Sequence, residues 1–308
     1  MKRHLLTVCL AATTALAQGA KPSTPPTKTE PAKAPPKPAA ALTVKDMATP
    51  ESVLYDAETD TYLVSNINGA PLDKDNNGFI AQLSPDGAIV NAKLVEGGKN
   101  GVTLNAPKGT AIKDGVLYVA DIDTVRLFDR KTGAPKGEVA LKGSTFVNDV
   151  AAGPDGKLYV TDSGLNAKFE GTGTDAIWVI TPGKKPTAKA LVKSKELKGP
   201  NGVLATKDAV HVVTFGANEL LTFDLKGKKV GEPTKLPNGG LDGLVALGDE
   251  LLISSWGAKT VYRGKLGGEF KPAIEDVEAP ADIGLDTKRS RVLVPRFQAH
   301  LVEAWELK

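Results

Sequence analysis

The chain has 308 residues, 41% of them apolar and 24% charged, an ordinary globular composition with room for one large domain or two small ones. Its formal charge of +3 divides unevenly: the first three residues carry +2, the stretch 21–37 carries +3, and everything from Leu42 onward is left at −2. A mildly acidic body gives no electrostatic case for a nucleic-acid partner, and a lone cysteine, Cys9, excludes a disulfide framework within the chain.

Residues 1–17 read as a secretory signal. Lys2, Arg3 and His4 form a basic start, Leu5 to Ala12 begin an apolar run too short to span a bilayer, and Ala15-Leu16-Ala17 supply a small-x-small cleavage site. Export to a periplasm or the extracellular space is the expectation, with Gln18 as the new N-terminus and no thiol left in the mature chain. No later segment approaches 18 consecutive apolar residues, so no transmembrane segment is expected. Residues 18–41 read as a disordered tether. Seven prolines fall within the eighteen residues 21–38, among Lys, Thr and Ala, which removes backbone donors and leaves little to bury.

From residue 42 to 308 the chain repeats itself. Six apolar-x-apolar strands follow polar turns: Tyr62-Leu63-Val64, Tyr118-Val119-Ala120, Tyr159-Val160-Thr161, His211-Val212-Val213, Leu252-Ile253-Ser254 and Leu293-Val294-Pro295. Ten or eleven residues before each lies an anchor position, occupied by Glu51, Lys108, Asn148, Asn201, Asp242 and Asp282. The anchors are spaced by 57, 40, 53, 41 and 40 residues. A unit of about 40 residues made of short strands and Gly/Pro/Asp turns is one four-stranded propeller blade. The predicted fold is therefore all-β, a six-bladed β-propeller with a central channel. A β-sandwich would not return the same strand-turn-strand pattern six times in one register. The last blade shows about three strands before Lys308, so Leu42-Thr43-Val44 are expected to pair onto it and close the ring. A closed ring leaves few free edges, and a monomer is expected.

The first strand of a blade lines the channel, so the six anchors are expected to ring one of its mouths. Glu51, Asn148, Asn201 and Asp242 offer two carboxylates and two amide carbonyls, a hard-oxygen cage of charge −2 that suits one Ca²⁺. Mg²⁺ and Mn²⁺ stay open as alternatives. Zinc does not fit, because no cysteine survives cleavage and only His211 and His300 lie in the repeats. Taken singly, Pro200-Asn201-Gly202 is a turn signal and Glu51 a solvated loop residue; the argument for a metal is that four equivalent positions agree.

Pro50-Glu51-Ser52-Val53, Asn148-Asp149-Val150, Gly156 to Asp162, Pro200-Asn201-Gly202-Val203 and Leu241-Asp242-Gly243 resemble the senescence marker protein (regucalcin), gluconolactonase and luciferin-regenerating-enzyme-like family over nearly the whole repeat region. The resemblance implies that the matching Glu, Asn, Asn and Asp bind one divalent cation and that the chain hydrolyses lactones or related esters of a small-molecule substrate. Two positions depart from the pattern. Phe146 stands where gluconolactonase-like members often carry an arginine for a sugar acid, and Lys108 where paraoxonase-like members carry a histidine.

On this reading Asp242 is both ligand and general base, and Lys108 is a catalytic donor or base or else a solvated lysine at the rim. Asp282 holds a water or pairs with Lys108. The long blades are 1 and 3, and their extra residues, about 66–77 and 163–175, follow second strands that end on the ligand face, so both should overhang the mouth. Trp256 belongs at the same rim. Asp73 to Ile80 looks like the start of an EF-hand loop, but its twelfth position is Ser84 and not glutamate, so a polar surface turn is expected. The alternative to an enzyme is a non-catalytic exported propeller that binds a ligand or protein partner and uses the metal structurally.

Overall fold

Short strands that are apolar on both faces cannot be satisfied within one sheet, and here they are satisfied by stacking six sheets around an axis. The computed structural model describes residues 39–307. The leader read at 1–17 and most of the tether read at 18–41 lie outside the described residues. Among the described residues regular structure is strand, apart from two short 3₁₀ turns at Lys195–Leu197 and Phe297–Ala299, and no helix is long and apolar enough to cross a membrane.

Each of the six sheets has four antiparallel strands, and the predicted six-bladed propeller is what the chain forms. The inner strands are Pro50–Asp56, Pro107–Lys113, Val147–Ala152, Pro200–Ala205, Leu241–Leu247 and Gly284–Asp286. The second strands, Thr61–Asn66, Val116–Asp121, Leu158–Asp162, Ala209–Thr214, Glu250–Ser255 and Arg291–Arg296, carry the six apolar triplets. Leu42–Val44 form the outer strand of the sixth blade, with Leu42 opposite Ala304, Thr43 opposite Glu303 and Val44 opposite Val302. The two ends of the repeat region thus share one sheet, and the backbone N–H of Ala41 already donates to Ala304 O at 2.8 Å.

Six apolar clusters account for most of the core, and each is the interface between two neighbouring blades. The alternation of a strand sorts its residues between them. Leu158 and Val160 of blade 3 pack against blade 2, while Tyr159 packs against blade 4. Leu251 and Ile253 of blade 5 pack against blade 4, while Leu252 packs against blade 6. This is why the triplets read as continuously apolar: both faces of each blade are buried.

Near the axis the inner strands approach so closely that the residue after three of the anchors is glycine. A Cβ on Gly202 would lie 2.2 Å from Asp242 O, one on Gly109 would lie 2.1 Å from Asp149 Oδ1, and one on Gly243 would lie 2.3 Å from Ile283 N. Gly202→Ala is therefore expected to force blades 4 and 5 apart and cost about 1–3 kcal/mol. Gly171→Ala meets nothing within 4 Å and is the control. Thermal unfolding of the two variants checks this: equal melting temperatures would contradict the close approach.

Candidate metal centre

Each of the first five inner strands holds one extra residue at its anchor. The ladder slips between Pro50 and Ser52, Pro107 and Thr110, Val147 and Val150, Pro200 and Val203, and Leu241 and Leu244. A bulge breaks the alternation and re-aims one side chain, here toward the channel mouth. It also strands a backbone N–H, and buried hydroxyls of the second strands take up that group in three blades. Ser52 N donates to Ser65 Oγ at 2.9 Å, Asp149 N to Thr161 Oγ1 at 3.1 Å, and Gly243 N to Ser254 Oγ at 2.7 Å. Two of these hydroxyls also tie one blade to the next: Thr161 Oγ1 donates to Asn201 O at 2.6 Å and Ser254 Oγ to Ala281 O at 2.8 Å.

The bulges bring Glu51, Asn148, Asn201, Asp242 and Lys108 to one cavity of about 490 Å³. Glu51, Asn148, Asn201 and Asp242 are all buried. Glu51 Oε2, Asn201 Oδ1 and Asp242 Oδ1 have no hydrogen-bond partner at all. Asn148 Nδ2 donates to Ser163 Oγ at 3.0 Å, which commits the amide nitrogen and leaves the carbonyl oxygen as its other face. Asp242 Oδ2 accepts from Trp256 Nε1 at 2.8 Å, so only Oδ1 is orphaned. Buried oxygens without partners are costly, and three of them from three blades at one cavity fit a hard cation. Among the described residues no cluster of three or more His, Cys, Asp or Glu is arranged to hold a metal by itself; the set here needs its two amides.

The charges tell the same story. Burial raises the Glu51 carboxyl well above its usual range, and the charges of Asp242 and Asp282 raise it further. Burial pushes Asp242 up to about 8, against the Trp256 hydrogen bond. Asp149 is pushed by burial to about 6, despite N–H donation from Val203 and Val150. Asp282 is raised by burial and by the Asp149 charge. Of these four buried carboxyls, Glu51 and Asp242 share the cavity with one buried ammonium, while Asp149 and Asp282 line the other end of the channel.

That ammonium, Lys108, corrects the picture of a solvated rim residue: it is 1% exposed. Its Nζ donates to Pro71 O at 2.8 Å and Ala106 O at 2.9 Å and sits 4.9 Å from the centre of the Phe146 ring. Burial lowers its pKa to about 8, against the pull of Glu51. Asp282 neither pairs with Lys108 nor lines this cavity; it accepts from Ser52 Oγ at 2.6 Å and faces the other end of the channel. Both insertions do reach the mouth, Ile67 and Pro71 from the first and Ser163, Leu165 and Phe169 from the second. The EF-hand-like turn spends most of its side chains on the protein: Asn76 Oδ1 accepts from Leu104 N at 2.8 Å, Lys74 bonds Asp123 at 2.6 Å and Asn77 Nδ2 donates to Asp75 Oδ2 at 2.6 Å, while Asn77 Oδ1 is left without a partner.

Trp256 lies at the rim as expected, but the sequence reading missed the rest of the aromatic wall. Phe215, Trp256 and Phe297 form a chain of rings, with centroids 5.8 and 5.3 Å apart, along the cavity. All three stand four residues after the first member of their blade's apolar triplet, a repeat position that marks them in the sequence.

No protein-family model matches the chain, and no curated protein matches its sequence. Solved structures do share the fold. A calcium-binding protein, regucalcin, from Agrobacterium tumefaciens superposes with a TM-score of 0.63 at 19% identity, over 88% of this chain and 94% of that one. A gluconolactonase from Xanthomonas campestris gives 0.64 at 18% identity, over 89% and 96%. A virginiamycin B lyase from Staphylococcus aureus gives 0.57 at 15% identity, over 88% and 99%. The chain is a propeller of the regucalcin and gluconolactonase type in its fold.

The raised carboxylates set the sign of a pH effect. A folded-state pKa raised from the ordinary 3.8 to about 8, as for Asp242, gives stability that is fully present below the lower value and lost as pH climbs to the upper one. In chelator, the melting temperature is therefore expected to carry a declining component between about pH 4 and 8. His211, whose pKa burial lowers, works in the opposite direction, so the comparison is made against Asp242→Asn. Wild type should decline more steeply than the variant, and Ca²⁺ should remove most of the difference. Parallel profiles would contradict the burial of an uncompensated charge.

Proposed function

We propose that this chain is a hydrolase of lactones or related esters that depends on one divalent cation, Ca²⁺ in the first instance, held by Glu51, Asn148, Asn201 and Asp242. The observation that carries this reading is the convergence of the orphaned oxygens of Glu51, Asn201 and Asp242 on one cavity. The likeness in fold to a gluconolactonase and to a calcium-binding regucalcin supports it. Two carboxylates and two amides from four blades make an all-oxygen cage, which favours Ca²⁺ over Mg²⁺ and Mn²⁺.

Bound there, the cation supplies a Lewis acid for an acyl carbonyl and eases the deprotonation of water. The protein's own groups do the rest. Trp256 holds Asp242 Oδ2 and so orients the carboxylate, leaving Oδ1 to serve the cation and to take a proton from the attacking water. Lys108 gives two donors to backbone carbonyls and keeps a third N–H for the oxygen on which charge develops. The water oxygen adds to the acyl carbon, the single bond from that carbon to oxygen breaks, and the departing oxygen takes the proton. One water is consumed, and an acid and an alcohol result, joined in one molecule when the substrate is a lactone. With the leader at 1–17 this enzyme acts outside the cytoplasm, as a monomer on a small molecule.

The test is turnover of δ-valerolactone, glucono-1,5-lactone and phenyl acetate by the purified chain. Hydrolysis of at least one is expected with Ca²⁺, lost in chelator and restored by added Ca²⁺. Asp242→Asn should lower kcat by about 100-fold or more while the fold persists. Turnover that survives both chelator and the substitution would refute the proposal.

A further inference from the structure

The cavity over the metal centre is walled by aromatic rings to a degree the chemistry of the ring alone does not need. Four of the chain's eight phenylalanines line it, Phe146, Phe169, Phe215 and Phe297, together with Trp256. Polar groups in the wall, outside the four ring residues, are few and mostly spent. Ser163 Oγ donates to Pro200 O at 2.7 Å and accepts from Asn148. Trp256 Nε1 is bound to Asp242, and Lys108 has given two of its three donors to carbonyls. That leaves Gln298 as the one lining amide outside the ring. A polyhydroxylated substrate brings several hydroxyls that must exchange water for protein partners, and this wall has almost none to offer.

Phe169 adds an independent sign. It is 57% exposed, the only aromatic among the exposed large apolar side chains of the described residues. Its φ is 59°, a conformation bulky side chains rarely adopt. A tight turn holds it there: Asn166 N donates to Glu170 O at 3.0 Å, and Phe169 N donates to Asn166 O at 2.8 Å. The ring lies 6.1 Å from that of Phe146 and lines both the central cavity and a neighbouring one of about 610 Å³. The two cavities share Ser163, Leu165, Phe169 and Phe215 and so adjoin along an apolar edge, with Thr172, Asp175, Lys195 and Lys198 on the far side of the outer one.

Resting on the hydrolase reading, we propose that the substrate is a lactone or ester whose non-reacting part is an alkyl or aryl group, packed against Phe146 and Phe169, and not a sugar lactone. Burial of that group against the two rings supplies the binding energy, and Phe169 selects for it.

The experiment compares three six-membered lactones that differ only in what they carry: δ-decalactone, unsubstituted δ-valerolactone and glucono-1,5-lactone. With Ca²⁺ present, kcat/KM for δ-decalactone should exceed that for the sugar lactone by about tenfold or more. Phe169→Ala should raise KM for δ-decalactone about fivefold, with a clearly smaller effect on δ-valerolactone, and Phe169→Leu should recover part of the loss. Preference for the sugar lactone, or equal losses on the two other substrates, would overturn the inference. Should neither the lactones nor phenyl acetate turn over, the hydrolase reading fails by itself, and calorimetric binding of the unreactive lactam 6-pentylpiperidin-2-one decides this one. Binding weakened by Phe169→Ala would uphold an apolar site; no binding, or binding indifferent to the substitution, would overturn it.

Discussion

Glu51, Asp149, Asp242 and Asp282 are buried around the channel axis with a single buried ammonium, Lys108, among them. Isolated charges out of water are expensive, and proteins avoid them unless something compensates. Here the compensation is incomplete: burial raises the pKa of each of the four carboxyls, neighbouring negative charges raise those of Glu51, Asp242 and Asp282 further, and buried oxygens of Glu51 and Asp242 lack any partner. The rest of the fold is organised so that this expense can be borne. Interdigitating apolar strands stabilise each blade interface, the Leu42–Val44 strand closes the sixth blade, and hydroxyls such as Thr161 and Ser254 satisfy the backbone that the bulges disturb. Sites that violate the ordinary rules of burial while their surroundings obey them are where function is expected.

Much of this could be read in the sequence because a propeller repeats. One period of about 40 residues exposes six equivalent positions, and a polar residue returning at the same place in several blades is informative even when each occurrence is an ordinary turn or cap. That logic found the second strands through their triplets, which are apolar throughout because both faces meet a neighbouring blade. It also brought Glu51, Asn148, Asn201, Asp242 and Lys108 to one cavity, since equivalent positions on inner strands must face the same mouth.

What was not legible depended on distances across the axis. Nothing local distinguishes Lys108 as buried; its burial follows from the first insertion folding back so that Pro71 O can cap it. Asp282 sits at an anchor position, yet blade 6 has a shorter inner strand with no bulge at that point, and its carboxylate turns to Ser52 instead. The Phe215, Trp256 and Phe297 wall lies just past the second strands, where the repeat does mark it, but only the packing of rings from three blades reveals it as a surface. Phe169 belongs to an insertion without any repeat, so no comparison between blades could have singled it out.

The central claim is that a divalent cation resolves the buried charge. It is tested most directly by titrating Ca²⁺ calorimetrically into chelator-stripped protein, beside Asn201→Ala with its melting followed in parallel. The account predicts one Ca²⁺ per chain, bound more weakly by about tenfold or more when the amide oxygen is removed. No heat of binding in the wild type, or undiminished affinity in a folded Asn201→Ala, would contradict it.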